Sequence, residues 1–554
     1  MPAPAPGEPA APVSMPPPRS PPWYELAPAA IDVDRLAAPA LLAHIPADSP
    51  FALVSFKPIP LEYFAKLKRE MGPRLTSIRE AIRELAKQDP QERPLESFFE
   101  ELDGKWNAEG MALLGLSTTP RFAVYGLGAI VVVRLEVDPR ALLGTLDRVA
   151  RRAGTSLAPA QRRGDWQLWR VPRASGRGVL IALGDGALVV AAGPIRAIDG
   201  ALPLIVGEQQ PAASMAGGKA LKELMARHRL GPMLVGFADM SWLASRLFAP
   251  EVGPPTAACT SAIADLAASA PRLVFGLDGL PGDRMVGGAV LELAPALASE
   301  LQKLKVVAPG LGAALADEPS FLMGGAMDLP RAREAGRAAA SVVGDLGRAC
   351  NMAGLGQAAF RLWSALTPPL PEPFGQITGA VFASESLVSL AAASKGSEMP
   401  RDLDAFVMVT ALDPKAIARA VLDRAPKLRR LGLVLNGKLH KLDLPLLVEV
   451  HAGAGARAVV LGMGAYGRRS AEQALGAAVG PAAPLFAMII DLKQVIAARP
   501  ERFPDLDADL PHDSVQLSER AGQLLGMYMM LARWEFTVDA SDHGLVLRFA
   551  ENRK

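Results

Sequence analysis

The sequence predicts an α+β fold made of two tandem copies of one domain, each a largely antiparallel sheet with helices packed on a face. Three observations predict it. Residues 131–148 read VVVRLEVDPRALLGTLDR and residues 406–424 read FVMVTALDPKAIARAVLDR, two versions of one strand, Asp-Pro and helix unit whose prolines, Pro139 and Pro414, stand 275 positions apart. Short apolar runs separated by tight turn signals favour antiparallel pairing. The remaining elements then recur in the same order over both halves, the mark of an internal repeat. At 554 residues the chain exceeds what one core accommodates, at roughly 100 to 200 residues per domain. The division read from the sequence is a Pro/Ala-rich tail over 1–38, a first domain over 39–308 and a second over 309–554.

The tail, MPAPAPGEPAAPVSMPPPRSPP and its continuation, has a composition that favours extended, solvated chain and reads as a linker or tether. Folded sequence begins with LLAHIPADSPFALVSFKPIP, where Pro46, Asp48 and Pro50 lead into a strand over 51–56. Amphipathic helices are expected to about Lys87, broken at Gly72-Pro73. MALLGLS at 111–117, RFAVYGL at 121–127 and AIVVVRLEV at 129–137 read as successive strands. Asp138 caps the helix that follows and Pro139 supplies its first residue. WQLWRV, GVLIAL and ALVVAAG add further sheet, the last two joined by Gly184-Asp185-Gly186, a hairpin turn because Gly and Asp tolerate positive φ. Two more strand-to-helix units follow, around Asp239 and Pro295.

In the second half, LADEPSFLMGGAMDLP stands against PADSPFALVSFKPIP, and an Ala-rich helical stretch over 331–366 replaces the first helices. ITGAVFAS takes the place of the 111–117 strand. LPLLVEV, the turn HAGAGA and RAVVLGM match the 178–193 hairpin, FAMIIDLKQVIAA matches the unit around Asp239, and WEFTVDASDHGLVLRFA closes the copy as a hairpin.

Composition bounds the function. Lys plus Arg total 59 against 57 acids, and aromatic residues are 5%, which excludes the basic, aromatic surface of a nucleic-acid binder. Half the residues are hydrophobic and the mean hydropathy is positive, yet no apolar run approaches the roughly 18 to 20 residues that span a bilayer. Cys259 and Cys350 are too few for a disulfide framework or a cysteine metal site. They read as buried thiols, with pairing as the other option. No signal segment or lipid-acceptor cysteine is expected at the start.

Gly462-Met-Gly464-Ala-Tyr-Gly467 is a literal GxGxxG after a strand and before a helix, where glycines let a backbone approach pyrophosphate. Gly462, Gly464 and Gly467 are therefore the cofactor-binding candidates. The ribose-binding acid is missing about 20 residues on, and the first half reads AAGPIRAIDG at the equivalent place, so a plain strand-to-helix turn is the favoured reading. His440, Asp443, Glu449 and His451 lack a metal-ligand spacing. The acids Asp138, Asp239, Asp413 and Asp491 recur at strand-to-helix junctions and read as caps. Trp166 and Trp169, beside a basic QRRGDWQLWR segment, read as surface aromatics of an ordinary edge strand, with an anionic partner as the alternative. No GxSxG, Walker A or HExxH occurs, so no catalytic residue, metal or cofactor is expected.

IPADSPFALVSFKPIP, residues 45–60, resembles the domain start of a loose group of lipoprotein-like bacterial cell-envelope proteins of unknown function, Ile-Pro-Ala-Asp-Thr/Ser-Pro-aromatic leading into a strand. The resemblance implies a periplasmic or outer-envelope location, with cytoplasmic as the alternative, and membrane proximity only through an anchor. The expected function is a non-enzymatic binding or assembly role, acting on a protein or an apolar small molecule through whatever the two copies enclose. The alternatives are a nucleotide-dependent enzyme using the GMGAYG loop and a carrier of lipid or another apolar ligand.

Overall fold

The structure, a computed structural model, describes residues 32–58, 79–80, 82–84, 86–87, 93–105, 107–117, 120–156, 161–172, 176–247, 256–278, 284–307, 319–386, 389, 403–424, 435–444, 448–477, 483–491 and 533–552. Residues 1–31 of the tail expected over 1–38, the helical continuation past Asp491 and most of the stretch before Lys87 lie outside them. The end of that expected tail is corrected: Val33–Arg35 form a short helical turn, and Val33, Leu36 and Ala38 pack against the first core, because these apolar side chains find a buried face there.

Strands of the first half are β1 (Phe51–Val54), β2 (Phe122–Leu127), β3 (Ile130–Glu136), β4 (Gln161–Arg163), β5 (Trp166–Pro172), β6 (Arg177–Gly184), β7 (Ala187–Pro194), β8 (Leu234–Asp239), β9 (Arg272–Asp278) and β10 (Arg284–Glu292). Those of the second are β11 (Phe321–Ala326), β12 (Ile377–Ser384), β13 (Ala405–Ala411), β14 (His440–Lys441), β15 (Val450–Ala454), β16 (Ala458–Met463), β17 (Phe486–Asp491), β18 (Arg533–Ser541) and β19 (Gly544–Asn552). Read through its pairings, the first half runs β4, β5, β6, β7, β3, β2, β1, β8, β9, β10. The second runs β14, β15, β16, β13, β12, β11, β17, β18, β19. Strand for strand the order is the same, β4 apart. All these pairings are antiparallel, and β10 joins β19 from Arg284↔Asn552 to Glu292↔Gly544, so the described strands make one 19-stranded sheet.

Helices cover both faces of that sheet, a correction to the expectation of one. Ala52 and Val54 of β1 enter a core with Ile205 and Leu221, from the helices Ile195–Val206 and Lys219–His228. Phe51, on the other face, meets Trp242 of the helix Met240–Leu247 with ring centroids 4.3 Å apart. The reason lies in the strand itself: FALV is a continuous apolar run, which burial on one side cannot satisfy. The second half has its own core, in which Phe406 and Met408 pack with Tyr466 and Ala471 of the helix Gly464–Gly476.

A third cluster belongs to both halves. Ala244, Cys259 and Ile263 of the first meet Leu346 and Cys350 of the second, and Cys259 and Cys350 form a disulfide bond. The reading of two separate thiols is thereby corrected. The cysteines meet because the N-terminus of the helix Ala257–Ser269 abuts the C-terminus of the helix Leu329–Ala349. There Thr256 Oγ1 accepts from the Cys259 N–H at 3.1 Å and donates to the Ala349 carbonyl at 3.2 Å.

Other local expectations change for physical reasons. The first three residues of MALLGLS close the short helix Ala108–Leu113, started by Asn107, whose Oδ1 accepts from the Gly110 N–H at 2.7 Å, and the rest turns away at Gly115, φ +97°. The strand placed on LPLLVEV falls instead on VHAGA, and the turn moves to 455–457. Trp166 is buried rather than exposed, while Trp169 is half-buried. The two Asp-Pro units differ by one residue. β3 buries Ile130, Val132 and Arg134, whereas β13 buries Phe406, Met408 and Thr410. Glu136 and Thr410 occupy the same register position, opposite the first residues of β7 and β16. The second Asp-Pro unit thus has an extra residue before its cap, and Leu412 there is 79% exposed.

Arg134 is the largest fully buried side chain of the first half. Its Nη2 donates to the Ile205 carbonyl at 2.8 Å, and its guanidinium lies 5.8 Å from the Trp166 ring centre. The last carbonyls of a helix lack partners and carry the negative end of its dipole, so the cation sits where the fold supplies compensation. The helix Ile195–Val206 ends there at Gly207, φ +85°, and a Cβ on Gly207 would approach His44 Cε1 to 2.7 Å. Burial, with Arg134 beside it, holds His44 down at about 4 against an ordinary 6.5, and Asp185 opposes this weakly.

Two outcomes follow. The unfolded chain protonates His44 near pH 6.5 and the folded chain only near 4, so stability should fall as pH drops across that window and level off below it. Urea midpoints measured across it should fall less steeply in His44→Gln, and parallel curves would remove His44 as the cause. The disulfide closes 91 residues, and replacing it by the Cys259→Ser/Cys350→Ser pair should cost about 2–4 kcal/mol in urea denaturation at pH 7.

Candidate functional site

The two halves meet side by side at β10 and β19, and a cleft opens on this seam. Its roof is the end of the helix Lys219–His228. Arg229 closes that helix in the left-handed region at φ +52°, its N–H bonded to the Met225 carbonyl, and Leu230 then drops onto the sheet. Gly231 must pass close over β9, since a Cβ there would lie 2.4 Å from Asp278 Cβ. The floor is β9, β10 and β19. Asp278 stands opposite Val286, and Arg548 opposite Gly288. Val286 and Gly288 are two apart on one strand, so all four positions share a face. The enclosed room is about 40 Å³, walled further by Val546, Phe549 and Ala550. That admits a head group or a few water molecules rather than a whole cofactor.

The polar groups here are incompletely matched. Asp278 Oδ1 is buried without a hydrogen-bond partner. Arg548 is half-buried, and burial pushes its guanidinium below the usual range; Asp539 opposes the shift and the like charge of Arg229 adds to it. Among the described residues neither Arg229 nor Arg548 has an ion-pair partner. The His228 ring in the wall is otherwise engaged: Nε2 lies 2.7 Å from Glu292 Oε1, Arg227 reaches the same oxygen at 3.3 Å, and the His543 ring packs edge-on at 5.5 Å. The His228 hydrogen bond, the largest influence, holds the Glu292 carboxyl below its usual range. Among the described residues no hydroxyl, thiol or amine lines the cleft. The imidazole is committed to Glu292, and the described lining presents guanidiniums and a carboxylate, groups that can bind a charged or hydrogen-bonding ligand.

The sequence reading singled out none of Arg229, Asp278 and Arg548. The available signal was Gly287-Gly288 inside a strand, where missing side chains mark a close approach of something else. Gly287 is explained by Phe549, whose Cζ would be 2.2 Å from a Cβ, but Gly288 has room for one, with Leu547 O at 3.4 Å and Leu230 Cδ2 at 3.6 Å.

The structure does place the GMGAYG loop at a strand-to-helix turn, with Gly464 at φ +73°. The helix N-terminus is already filled. Asp404 accepts from the Tyr466 N–H at 3.1 Å and the Gly467 N–H at 2.8 Å, and a Cβ on Gly464 would meet its Oδ1 at 2.6 Å. Gly462 and Gly467 pack against each other, and the Ala405 carbonyl would lie 2.0 Å from a Cβ on Gly467. An internal carboxylate thus holds the position a phosphate would need.

Of the junction acids, Asp138 caps its helix at 2.9 and 3.1 Å and Asp413 does so at 3.0 Å. Asp239 instead pairs with Arg272 at 3.1 Å, and the helix expected after Asp491 lies outside the described residues. Asp328, not singled out before, caps the helix Leu329–Ala349 at 3.1 Å. His440 bonds Asn436 at 2.7 Å, Glu449 pairs with Lys441, and His451 is buried in β15. Among the described residues no group of three or more His, Cys, Asp or Glu could hold a metal.

Asp404→Ala removes two charge-assisted bonds at a helix start and should destabilise the fold by about 1–3 kcal/mol in urea denaturation. NAD, FAD and ATP should leave the wild-type melting temperature unchanged. A rise with any of them would return the loop to candidacy. Compared with known proteins, the chain matches no family model, no curated protein and no solved structure.

Proposed function

We propose that the chain is a non-enzymatic binding or assembly protein of the bacterial cell envelope, formed from two copies of one ancestral domain fused at the sheet edge, with the junction cleft as its binding site. The observation that carries the reading is the Cys259–Cys350 bond, which uses both cysteines of the sequence and ties the halves together. Disulfides of this kind persist in oxidising compartments and are rare in the cytosol, which favours an exported protein. The Pro/Ala-rich stretch ahead of Val33, whose side chain packs on the first core, would then serve as a tether. No described helix is long and apolar enough to cross a membrane.

Support for the duplication comes from the shared strand order and from like strands, β10 and β19, meeting at the seam. Support for binding over catalysis comes from the cleft lining, which among the described residues offers guanidiniums and an unsatisfied carboxylate oxygen and no nucleophile. The partner is a protein or a small molecule. The nucleotide reading loses its main support to Asp404, and the carrier reading rests on apolar composition alone.

The test is the state of the cysteines in intact source cells. After free thiols are blocked with a maleimide reagent, both cysteines should be unlabelled and become labelled only after reduction, in protein recovered from the envelope or periplasmic fraction. Full labelling without reductant, in protein from the cytosol, would overturn the assignment.

A further inference from the structure

We infer that the cleft at the β10–β19 seam binds a carboxylate flanked by an N–H donor, the group carried by a free α-amino acid or by the C-terminus of a peptide. The inference deepens the binding reading given above and rests on it for the choice of site.

Three features of the cleft each ask for one part of that group. Arg229 and Arg548 line the same small space, carry like charges and have no carboxylate partner among the described residues. Two like charges with no ion pair among the described residues, Arg548 half-buried with only the more distant Asp539 to offset it and Arg229 exposed at the rim, favour an anion between them, and the planar fork of a guanidinium matches a carboxylate in two parallel bonds. Asp278 Oδ1 has the opposite need. It is a buried acceptor with no donor, a condition that costs free energy until an N–H or O–H arrives. Gly288 lies beside Arg548. Strand spacing of about 4.8 Å and a rise of about 3.4 Å per residue put the Cα atoms of Asp278 and Arg548 roughly 12 Å apart, on a diagonal that crosses β10 between Val286, opposite Asp278, and Gly288, opposite Arg548. The bare glycine leaves the Arg548 end of that floor without a side chain.

The same layout selects against other anions. A phosphate would stand close to the Asp278 carboxylate, and like charges at short range repel. In a carboxylate with a neighbouring N–H, the anion faces the arginines while the donor faces Asp278, so the repulsion is replaced by a hydrogen bond. Acetate has the anion without the donor and satisfies only half of the site. The room of about 40 Å³ admits such a head group and leaves the rest of a peptide outside, beyond the Leu230 and Val546 walls.

Isothermal titration of the full chain at fixed ionic strength tests this with five probes: N-acetylglycine, glycine, acetate, N-acetylglycine methyl ester and inorganic phosphate. N-acetylglycine or glycine should bind at least tenfold tighter than acetate, and the methyl ester should not bind. Preference for glycine marks a free amino acid as the ligand, and preference for N-acetylglycine marks a peptide C-terminus. Arg548→Met should weaken binding at least tenfold, and Asp278→Ala should erase the preference over acetate. Gly288→Ala, whose Cβ meets only ordinary contacts, should keep the wild-type melting temperature while binding is lost.

Absence of binding by both N–H carboxylates at millimolar concentration would overturn the inference. So would tighter binding of phosphate than of either, or undiminished binding by Arg548→Met in protein with a wild-type melting temperature. Failure here with protected cysteines in cells removes the ligand class alone. Binding here with cysteines labelled in the cytosol removes the envelope assignment alone.

Discussion

The structure depends on the pairing of β10 with β19. Either half alone would present a nine-residue strand with a row of unsatisfied N–H and C=O groups, an edge that invites association with other chains. Each half supplies the other's missing neighbour, and the two sheets continue as one. The strands left at the outer ends of the described sheet, β4 and β14, span three and two residues. Short edges offer little template for further pairing.

The seam is fastened on one face and open on the other. On the fastened face the helices Ala257–Ser269 and Leu329–Ala349 share an apolar cluster and the Cys259–Cys350 bond, so separating the halves means exposing that cluster as well as breaking a ladder. On the open face each half packs its own core, the first around Leu221, Leu224 and Leu230, the second around Met408, Val460 and Tyr466. Where two cores stop short of each other, the seam between them takes charged residues. Arg533 and Glu535 of β18 pair at 3.2 Å with side chains 13% and 5% exposed, and Arg548 of the next strand borders the cleft. Domain seams of this kind are favoured places for ligands because walls from two sources converge there.

Much of the strand layout was legible because its signals are local. Gly184-Asp185-Gly186 sits where a hairpin turn is needed, with Asp185 at φ 45° and Gly186 at φ 69°, and β6 and β7 pair through it with Gly184 opposite Ala187. The misreadings were local competitions decided by neighbours. Asn107 and Gly115 enclose a helix where the apolar spacing of 111–117 suggested a strand. Trp166, flanked by charges in sequence, turned inward because Arg134 and the first core lie on its side of β5. GMGAYG forms the strand-to-helix turn that its sequence context favoured, while the carboxylate that fills its helix end, Asp404, arrives from 60 residues earlier, beside β13, and carried no local signal.

By itself the sequence determined the units: strands by alternation and turns, helix starts by Asp138 and Asp413, and a repeated order that the pairings follow in both halves. Those features are written within a few residues of one another, through hydrogen bonds and rotations that need no distant partner. Tertiary structure alone decided that Cys259 meets Cys350, that both sheet faces are covered, that the GMGAYG helix end is filled, and that Asp278, Arg229 and Arg548 share one cleft. Each of those depends on which residues, far apart in the chain, the antiparallel ladder brings side by side, and the pairing of β10 with β19 brings together positions more than 250 residues apart.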